Sequence, residues 1–496
     1  MPRIMKPSSV ISMTATYFPQ FLRSRAEMLT LESWMEGRQY EHSGEFLEMD
    51  DRAYGRAYAP SDREVTQEYE NLRSLSTNNF AGLIVNTIAQ MCHIEGITAA
   101  GSNDPLPVWQ TMRRNRWGSK QNAIHRDAIG MGVAYGIVVP GIDPLAGGKV
   151  SRMIGKSATE MLAFYDDDDD EWPQLAIEAH PTTVDAGSGG FAAPGWSVKV
   201  YDAFAIHRLV CKGSGLSHSD WTYIEYAEHP VPVPPVAQLA NRMSLSGKAS
   251  GEIEPVLPLL RRIDQDSFDR LITQRFGAWQ VRYIAGMVKP DSAQEQAAQK
   301  VRLRQEDLLI SSSPDTKFGT LDGSDLKPQI EATDADLRIL SAISQMPPHH
   351  LLGLSSNLQA EALAAATEGL HRKSFEFRLQ AAEFHEQMAR LASILDETSS
   401  PETDWDMRVR WRDESATSMS QAADSLTKLA DGLGVPIEML WERIPGWTDD
   451  DVQRAKLLVE NGEVDRILKE LLDGGSSEVG EVQGEMENRN DAEVVS

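Results

Sequence analysis

Residues 344–363, SQMPPHHLLGLSSNLQAEAL, set a Pro-Pro-His-His knot between two stretches that both have helical spacing. Adjacent prolines fix φ and withhold two backbone donors, so neither helix continues through them. Past the knot, Leu363, Ala366, Leu370, Phe377, Ala381, Phe384, Met388, Leu391 and Leu395 fall on one helical stripe. Ser356 and Gln359 have the spacing of a capping box at its start. The pattern predicts a helix of about 40 residues, roughly 60 Å long. The average globular helix has about 11 or 12 residues. A rod of this length spans a large assembly or lies along a neighbour.

The rest of the chain alternates helical and strand-like stretches. Helical spacing covers residues 14–40 and 68–94, the latter with Leu72, Leu75, Phe80, Leu83, Ile84, Ile88 and Met91 on one face. GITAAG reads as a short strand, residues 106–132 as two helices, and VAYGIVVPG (133–141) as a strand. From 150 to 230 the period drops to two, which predicts an antiparallel sheet or small sandwich. Residues 230–250 read as a Pro-rich, then Gly/Ser-rich connector. Helices return at 252–287 and 328–346, a strand at 404–412, and helices again from 417 to 472, broken at residues 432–434 and 445–446. The tail from 473 is polar and acidic and reads as disordered. The expected fold class is α+β and mainly helical.

Charge narrows the function. The 496 residues carry 74 acidic against 48 basic side chains, a formal net of −26. Such a surface repels a phosphate backbone and argues against broad nonspecific DNA binding. Cys92 and Cys211 offer no disulfide framework and no zinc spacing, which suits a reducing cytoplasm. No window has the run of about 18 to 20 apolar residues that a membrane span needs. The N-terminus lacks the apolar core of a signal peptide.

Chemistry is scarce. Residues 154–157, Ile-Gly-Lys-Ser, resemble the end of a phosphate-binding loop, but Val150 stands where its first glycine belongs. Residues 166–171, DDDDDE, read either as a divalent metal site or as a solvated hairpin tip. Metal loops interleave acids with turn residues at set spacing, so the hairpin reading is preferred. His349 and His350 have no ligand-type residue at metal spacing and read as polar loop residues. His371 and His385 lie 14 apart on the long helix, near one face, and read as surface or packing residues. No catalytic residue, cofactor site or metal site is expected, and the chain is expected not to be an enzyme.

Several stretches in order carry a resemblance: AIHRDAIGMGVAYGIVVPG (123–141), EHPVPVPPVAQLANRMSLSGKASGEIEPVLPLLRRIDQDSFDRL (228–271), ISQMPPHHLLGLSSNLQAEALAAATEGLHRKSFEFR (343–378), and a strand ending in VRWRD. Together they resemble the portal proteins of long-tailed, siphovirus-like bacteriophages, especially of the actinobacteriophage type. The specificity lies in the series, above all in the P-x-x-x-L-G…N…EAL pattern that opens the long helix.

That resemblance implies a homo-dodecameric ring at one capsid vertex, assembled in the host cytoplasm and carried in the virion. Double-stranded DNA would enter through its channel, driven by the terminase large subunit, and later leave by it. A head–tail adaptor, the major capsid protein and scaffold would be further partners, with no membrane. By order along the chain, residues 1–251 would form the wing, 252–289 the first stem helix, 290–326 the clip and 327–345 the second stem helix. Residues 346–356 would be the tunnel loop, 357–414 the long wing helix and strand, 415–472 the crown, and 473–496 a disordered tail. The tunnel loop would place Pro347, Pro348, His349, His350, Leu351, Leu352 and Gly353 at the DNA channel.

Physical chemistry fits that assignment. The prolines lower the ordering cost of such a loop, and Gly353 permits the turn into the next helix. No Lys or Arg is present to snag phosphates, while the two histidines would gain weak positive charge at lower pH. In the clip, Lys300, Arg302 and Arg304 alternate and would share one face of a strand. They would meet the terminase, the adaptor or passing DNA, or else form an exposed basic edge. The competing functions are a DNA-packaging enzyme and another minor head or adaptor protein. The first needs an ATP-binding loop that the sequence lacks, and the second is usually shorter and lacks the long helix.

Overall fold

The computed structural model describes residues 4–40, 69, 71–100, 104–142, 147–167, 170–184, 193–213, 215, 217–277, 282–285, 317–320, 326–353, 360–398, 405–412, 419–444, 447 and 449–460. The chain divides into a unit of residues 1–410 and a second unit of residues 411–496.

The first unit is layered around two antiparallel sheets. Helix α1 (Pro7–Met35) lies on one face of a five-stranded meander: β4 (Met161–Phe164), β5 (Leu175–Val184), β6 (Ala193–Tyr201), β7 (Ala205–Lys212) and β8 (Trp221–Glu228). Period-two alternation sends Leu175, Ile177, Ala179, Val198, Val200 and Leu209 towards α1, where Val10, Phe18 and Phe21 cover them. Phe18 meets Trp221 edge-on at 5.0 Å and Trp196 at 5.7 Å.

The opposite face of the meander packs on a three-stranded sheet in the order β3-β2-β9, formed by β2 (Val133–Ile142), β3 (Lys149–Ser157) and β9 (Val236–Ala240). Ala163, Ala176 and Tyr201 of the meander share a cluster there with Tyr135, Ile137 and Val236. Between the sheets sits Glu178, only 1% exposed. Lys156 Nζ lies 2.8 Å from its Oε1, His180 Nε2 2.9 Å, and Lys199 Nζ 3.2 Å, while the Tyr201 hydroxyl donates to Oε2. Burial alone raises this carboxyl. The bonds from Lys156, Tyr201 and His180 outweigh burial and bring it down to about 2.

Four further helices surround the small sheet: α2 (Phe80–Gln90), α3 (Pro107–Arg114), α4 (Trp117–Met131) and α8 (Ala360–Leu395). Between α2 and α3, β1 (Ile94–Ala99) pairs with β12 (Met407–Trp411). Glycines set how closely α4 and its neighbours approach. Gly132 ends α4 at φ +96°, where a side chain is strained. A Cβ on Gly251 would lie 2.1 Å from the Gly130 carbonyl oxygen. The small-residue pattern IGMG and its partner SG thus bring two backbones together, and the Glu252 N–H donates to Ile129 O at 2.7 Å.

Helix α5 (Leu257–Gly277) leads to β10 (Arg282–Ala285), which pairs antiparallel with β11 (Lys317–Thr320). Then α6 (Lys327–Ser344) returns, followed by α7 (Pro348–Leu352) and the long α8. In the second unit, described by itself, α9 (Met419–Leu433), α10 (Ile437–Leu440) and α11 (Asp449–Glu460) are helical.

Four expectations change. The helix of 68–94 is interrupted at residues 76–79, because Asn79 caps α2 by accepting the Gly82 N–H at 2.9 Å; Leu75 is exposed as a result. The helix expected over 14–40 begins earlier, with Pro7 in its first turn, and ends at Met35. The connector at 230–250 contains β9, whose Val236, Ala237 and Leu239 are buried. The helix expected over 252–287 is α5 from Leu257 to Gly277, and residues 282–285 within that range form β10 instead; His371 is exposed and His385 fully buried, a surface and a packing place as expected.

Candidate functional site

The knot joins three elements: α6, α7 and α8. Helix α6 ends because Gln345 turns left-handed at φ +57° and donates its N–H to Ser341 O. Met346 N–H shares that acceptor at 3.1 Å, and Ser341 Oγ donates back to Met346 O at 2.7 Å. Met346 and Pro347 are buried, so the turn is anchored in the protein.

Residues expected to form a loop form a short helix instead. Pro348 occupies the first helical position, where a missing N–H costs nothing. The His350 N–H donates to Pro347 O at 3.0 Å. Gly353 closes the turn at φ +63° with open space around it, so backbone conformation alone calls for glycine there. Leu351 is buried, Leu352 half-buried, and Pro348, His350 and Gly353 exposed. The His349 and His350 rings meet edge-on at 4.5 Å. Burial first, and then the neighbouring His349, lower the His350 pKa below the ordinary value. Positive charge at this ring is therefore discouraged and needs a lower pH than an ordinary histidine does.

Lys373 of α8 holds this turn from behind. Its Nζ donates to Ser344 O at 2.7 Å and to Glu252 Oε2 at 2.6 Å. The lysine caps the carbonyl end of α6 and neutralises a glutamate that is 5% exposed. Beside it opens a cleft of about 200 Å³, lined in part by Arg242, Glu252, Ile343, Gln345 and Phe377. Sequence reasoning passed over Lys373. The signal was a cation on the apolar stripe, three residues after Leu370 and four before Phe377.

Helices α5 and α6 run antiparallel. Arg262 grips Asp336 with two bonds of 2.5 Å, and Gln329 Nε2 donates to Thr273 Oγ1 at 3.3 Å. Between these two helices in sequence, β10 and β11 pair antiparallel. Lys300, Arg302 and Arg304 lie outside the described residues, as do residues 354–359 with the expected capping box and the tail from 473.

Deeper in the unit, a hydrogen-bonded chain joins α4 to α8. Trp117 Nε1 donates to His385 Nδ1 at 3.0 Å. His385 therefore carries its proton on Nε2, 2.9 Å from His125 Nε2, and donates to it. His125 in turn donates from Nδ1 to Cys92 O at 2.9 Å. Both rings are neutral in this arrangement. Burial drives the His125 pKa down to about 4 and the His385 pKa well below the ordinary value.

The residues suspected of chemistry have structural places. Residues 154–157 lie in β3, paired with β2, so their amides are committed to a sheet. The described acids of the 166–171 run sit at the tip between β4 and β5. There Asp167 N–H donates to Asp170 Oδ2 at 3.0 Å, and Glu171 pairs with Arg390 at 2.7 Å. Among the described residues no three His, Cys, Asp or Glu side chains form a group able to hold a metal ion. No described helix is long and apolar enough to cross a membrane.

Comparison with solved structures finds many similar chains, among them two from GTA particles. One comes from the neck of the native GTA particle computed with C12 symmetry, at 13% identity and TM-score 0.40, covering 74% of this chain and 86% of that one. The other comes from the neck of the empty GTA particle computed with C6 symmetry, at 12% identity and TM-score 0.42, covering 75% and 86%. No curated protein matches. Residues 16–472 match the family described as phage portal protein, SPP1 Gp6-like. The match spans most of the chain, so it belongs to the SPP1 Gp6-like phage portal proteins: a structural component of the virion, not an enzyme.

Proposed function

We propose that this portal protein closes into a homo-dodecameric ring whose channel takes double-stranded DNA in, under the terminase large subunit, and lets it out. In this reading residues 1–251 form the wing, α5 and α6 the stem, and residues 290–326 the clip. Pro347, Pro348, His349, His350, Leu351, Leu352 and Gly353 border the channel, α8 runs back through the wing, and residues 415–472 form the crown. The observation that carries the reading is the antiparallel pair of α5 and α6, with β10 and β11 paired between them in sequence, turned sharply at Gln345 into the Pro347–Pro348 segment. A chain that leaves a body, returns along itself and turns at a buried anchor presents a rigid rim on a repeated subunit. The segment has no lysine or arginine, and His350 resists protonation. Such a rim passes a polyanion without holding it.

Lys300, Arg302 and Arg304 supply the contrasting contact, to the terminase or to a head–tail adaptor. The major capsid protein and scaffold are the expected neighbours of the wing. The actinobacteriophage-type resemblance rests on the ordered sequence stretches alone.

The test is a particle-assembly assay. His350→Cys, placed on the exposed side of α7, is labelled with a bulky maleimide before packaging. The reading expects labelled particles to assemble normally and to lose DNA packaging, while Ser219→Cys labelled in the same way packages normally. Normal packaging by the labelled His350→Cys particles contradicts a channel position for this segment. Reversing the charge of Lys300, Arg302 and Arg304 together is expected to block packaging or neck attachment with the ring intact.

A further inference from the structure

In a chain with 74 acidic and 48 basic side chains, the turn from α3 to α4 reads MRRNRWGSK. Arg113 and Arg114 close α3, Arg116 sits in the turn at φ +56°, and Lys120 lies in the first turn of α4. Asn115 fastens this turn to the edge of β3. Its Nδ2 donates to Ser151 O and its Oδ1 accepts the Met153 N–H, both at 2.9 Å. Lys120 Nζ donates to Met153 O at 2.7 Å. Arg152, between those two strand residues, completes the cluster.

Arg113, Arg114, Arg116 and Arg152 are exposed, and none of them forms an ion pair among the described residues. The cations act on one another instead: burial, then the charges of Arg116 and Arg152, lower the pKa of Lys120. Helix α4 has no acid in its first turn and no side-chain cap, so the positive end of its dipole adds to the same sign. Asp396 is the neighbouring carboxylate: it accepts from Thr111 Oγ1 and from the Ser151 N–H, both at 2.7 Å, and among the described residues it forms no ion pair with these arginines.

The surface around it indicates the partner. Protein interfaces centre on apolar and aromatic anchors, with charges depleted from the middle. Among the described residues from 76 to 142, Ile142, beside Gly141 at the Arg152 end of the patch, is the one large apolar side chain exposed, too little for an apolar anchor cluster. A cluster made of arginine, with its planar fork, suits phosphate oxygens. We propose that Arg113, Arg114, Arg116, Lys120 and Arg152 form a second DNA contact, apart from the channel segment, that docks the phosphate backbone of duplex DNA. Within an acidic surface, such a patch fixes where DNA rests rather than binding it everywhere.

A relaxed, covalently closed plasmid circle tests this, because a closed circle cannot thread a ring and its binding does not depend on one. Retention of the circle by the full chain is measured against salt. The proposal expects steeply salt-dependent retention. The combined Arg113→Ser, Arg114→Ser and Arg116→Ser variant should bind at least tenfold more weakly at low salt. Its log–log salt slope should be shallower by about 0.9 for each phosphate no longer neutralised, or about 3 in all. The corresponding triple lysine variant should keep most of the binding. Arg152→Gln, on a different element, should lower the slope by about 1 and decides the matter if the triple serine variant fails to fold. Absence of retention by the wild-type chain, or an unchanged slope in the folded variants, overturns the proposal. So does a triple serine variant that still retains the circle but sediments as smaller assemblies, since its arginines would then face another copy of the chain.

Discussion

Lys373 Nζ lies 2.7 Å from the carbonyl oxygen of Ser344, the last residue of α6, while also holding Glu252. One cation thus ties three parts of the chain: the entry to α5, the exit of α6 and the middle of α8. Lys373→Met leaves the buried Glu252 with only the longer contacts to Arg242 Nη1 at 3.7 Å and Asn241 Nδ2 at 3.5 Å. The expected cost is about 3–5 kcal/mol, read as a lower urea midpoint. Adding Glu252→Gln should recover part of that loss, and a double variant no more stable than Lys373→Met contradicts the pairing.

The buried chain from Trp117 to Cys92 predicts a pH dependence. His125 ordinarily titrates near 6.5 and in the fold near 4. Below pH 6.5 the unfolded chain binds a proton that the folded chain refuses. The contribution is therefore complete above 6.5 and is lost as pH falls towards 4, to about 3 kcal/mol for this ring. Asp127 works in the opposite sense. Burial raises it to about 6, so its contribution is lost as pH rises from 3.8 through 6. Comparing wild type with His125→Asn isolates the histidine. Unfolding free energy measured from pH 7 to 4 should fall less in the variant, and parallel curves contradict the buried neutral pair.

Glu178 predicts a second acid step. Its carboxyl is held near 2 against an ordinary 4.5, so its contribution is present above 4.5 and is lost as pH falls from there towards 2. Glu178→Gln should cost about 3 kcal/mol at neutral pH, at the lower end for a broken buried pair because Lys156 retains Glu160 at 3.3 Å. The variant should also lose this acid step, which unfolding measured below pH 4.5 detects.

Gly251→Ala places a methyl 2.1 Å from the Gly130 carbonyl oxygen, and backbone cannot swing aside as a side chain can. A loss of about 1–3 kcal/mol is expected. Gly118→Ala, with open space around it, should be neutral or stabilising, as alanine favours a helix over glycine. A thermal unfolding comparison of the two decides.

Much of the layout was legible because long periodic patterns leave little choice. Leu370, Phe377, Ala381, Phe384, Met388 and Leu391 all lie buried along α8, as their spacing requires. Period-two alternation likewise identified the sheet region. What stayed hidden was polar and nonlocal. Nothing in sequence pairs His125 with His385 across 260 positions, or Lys373 with Ser344 across 29. The break before α2 was missed because Asn79 works through its cap, a local hydrogen bond that competes with an otherwise unbroken apolar stripe. The short α7 was missed because two prolines read first as a stop, although Pro348 is also a good helix start.

The central claim is a ring with a DNA-wide channel bordered by the segment after α6. Electron microscopy of the purified chain, with scaffold and capsid shell protein present, tests it most directly. The account predicts end-on views with twelve subunits around an opening wide enough for duplex DNA, and residues 347–353 at its narrowest rim. A chain that stays monomeric or dimeric with those partners present, or a ring whose opening is lined by other residues, contradicts it.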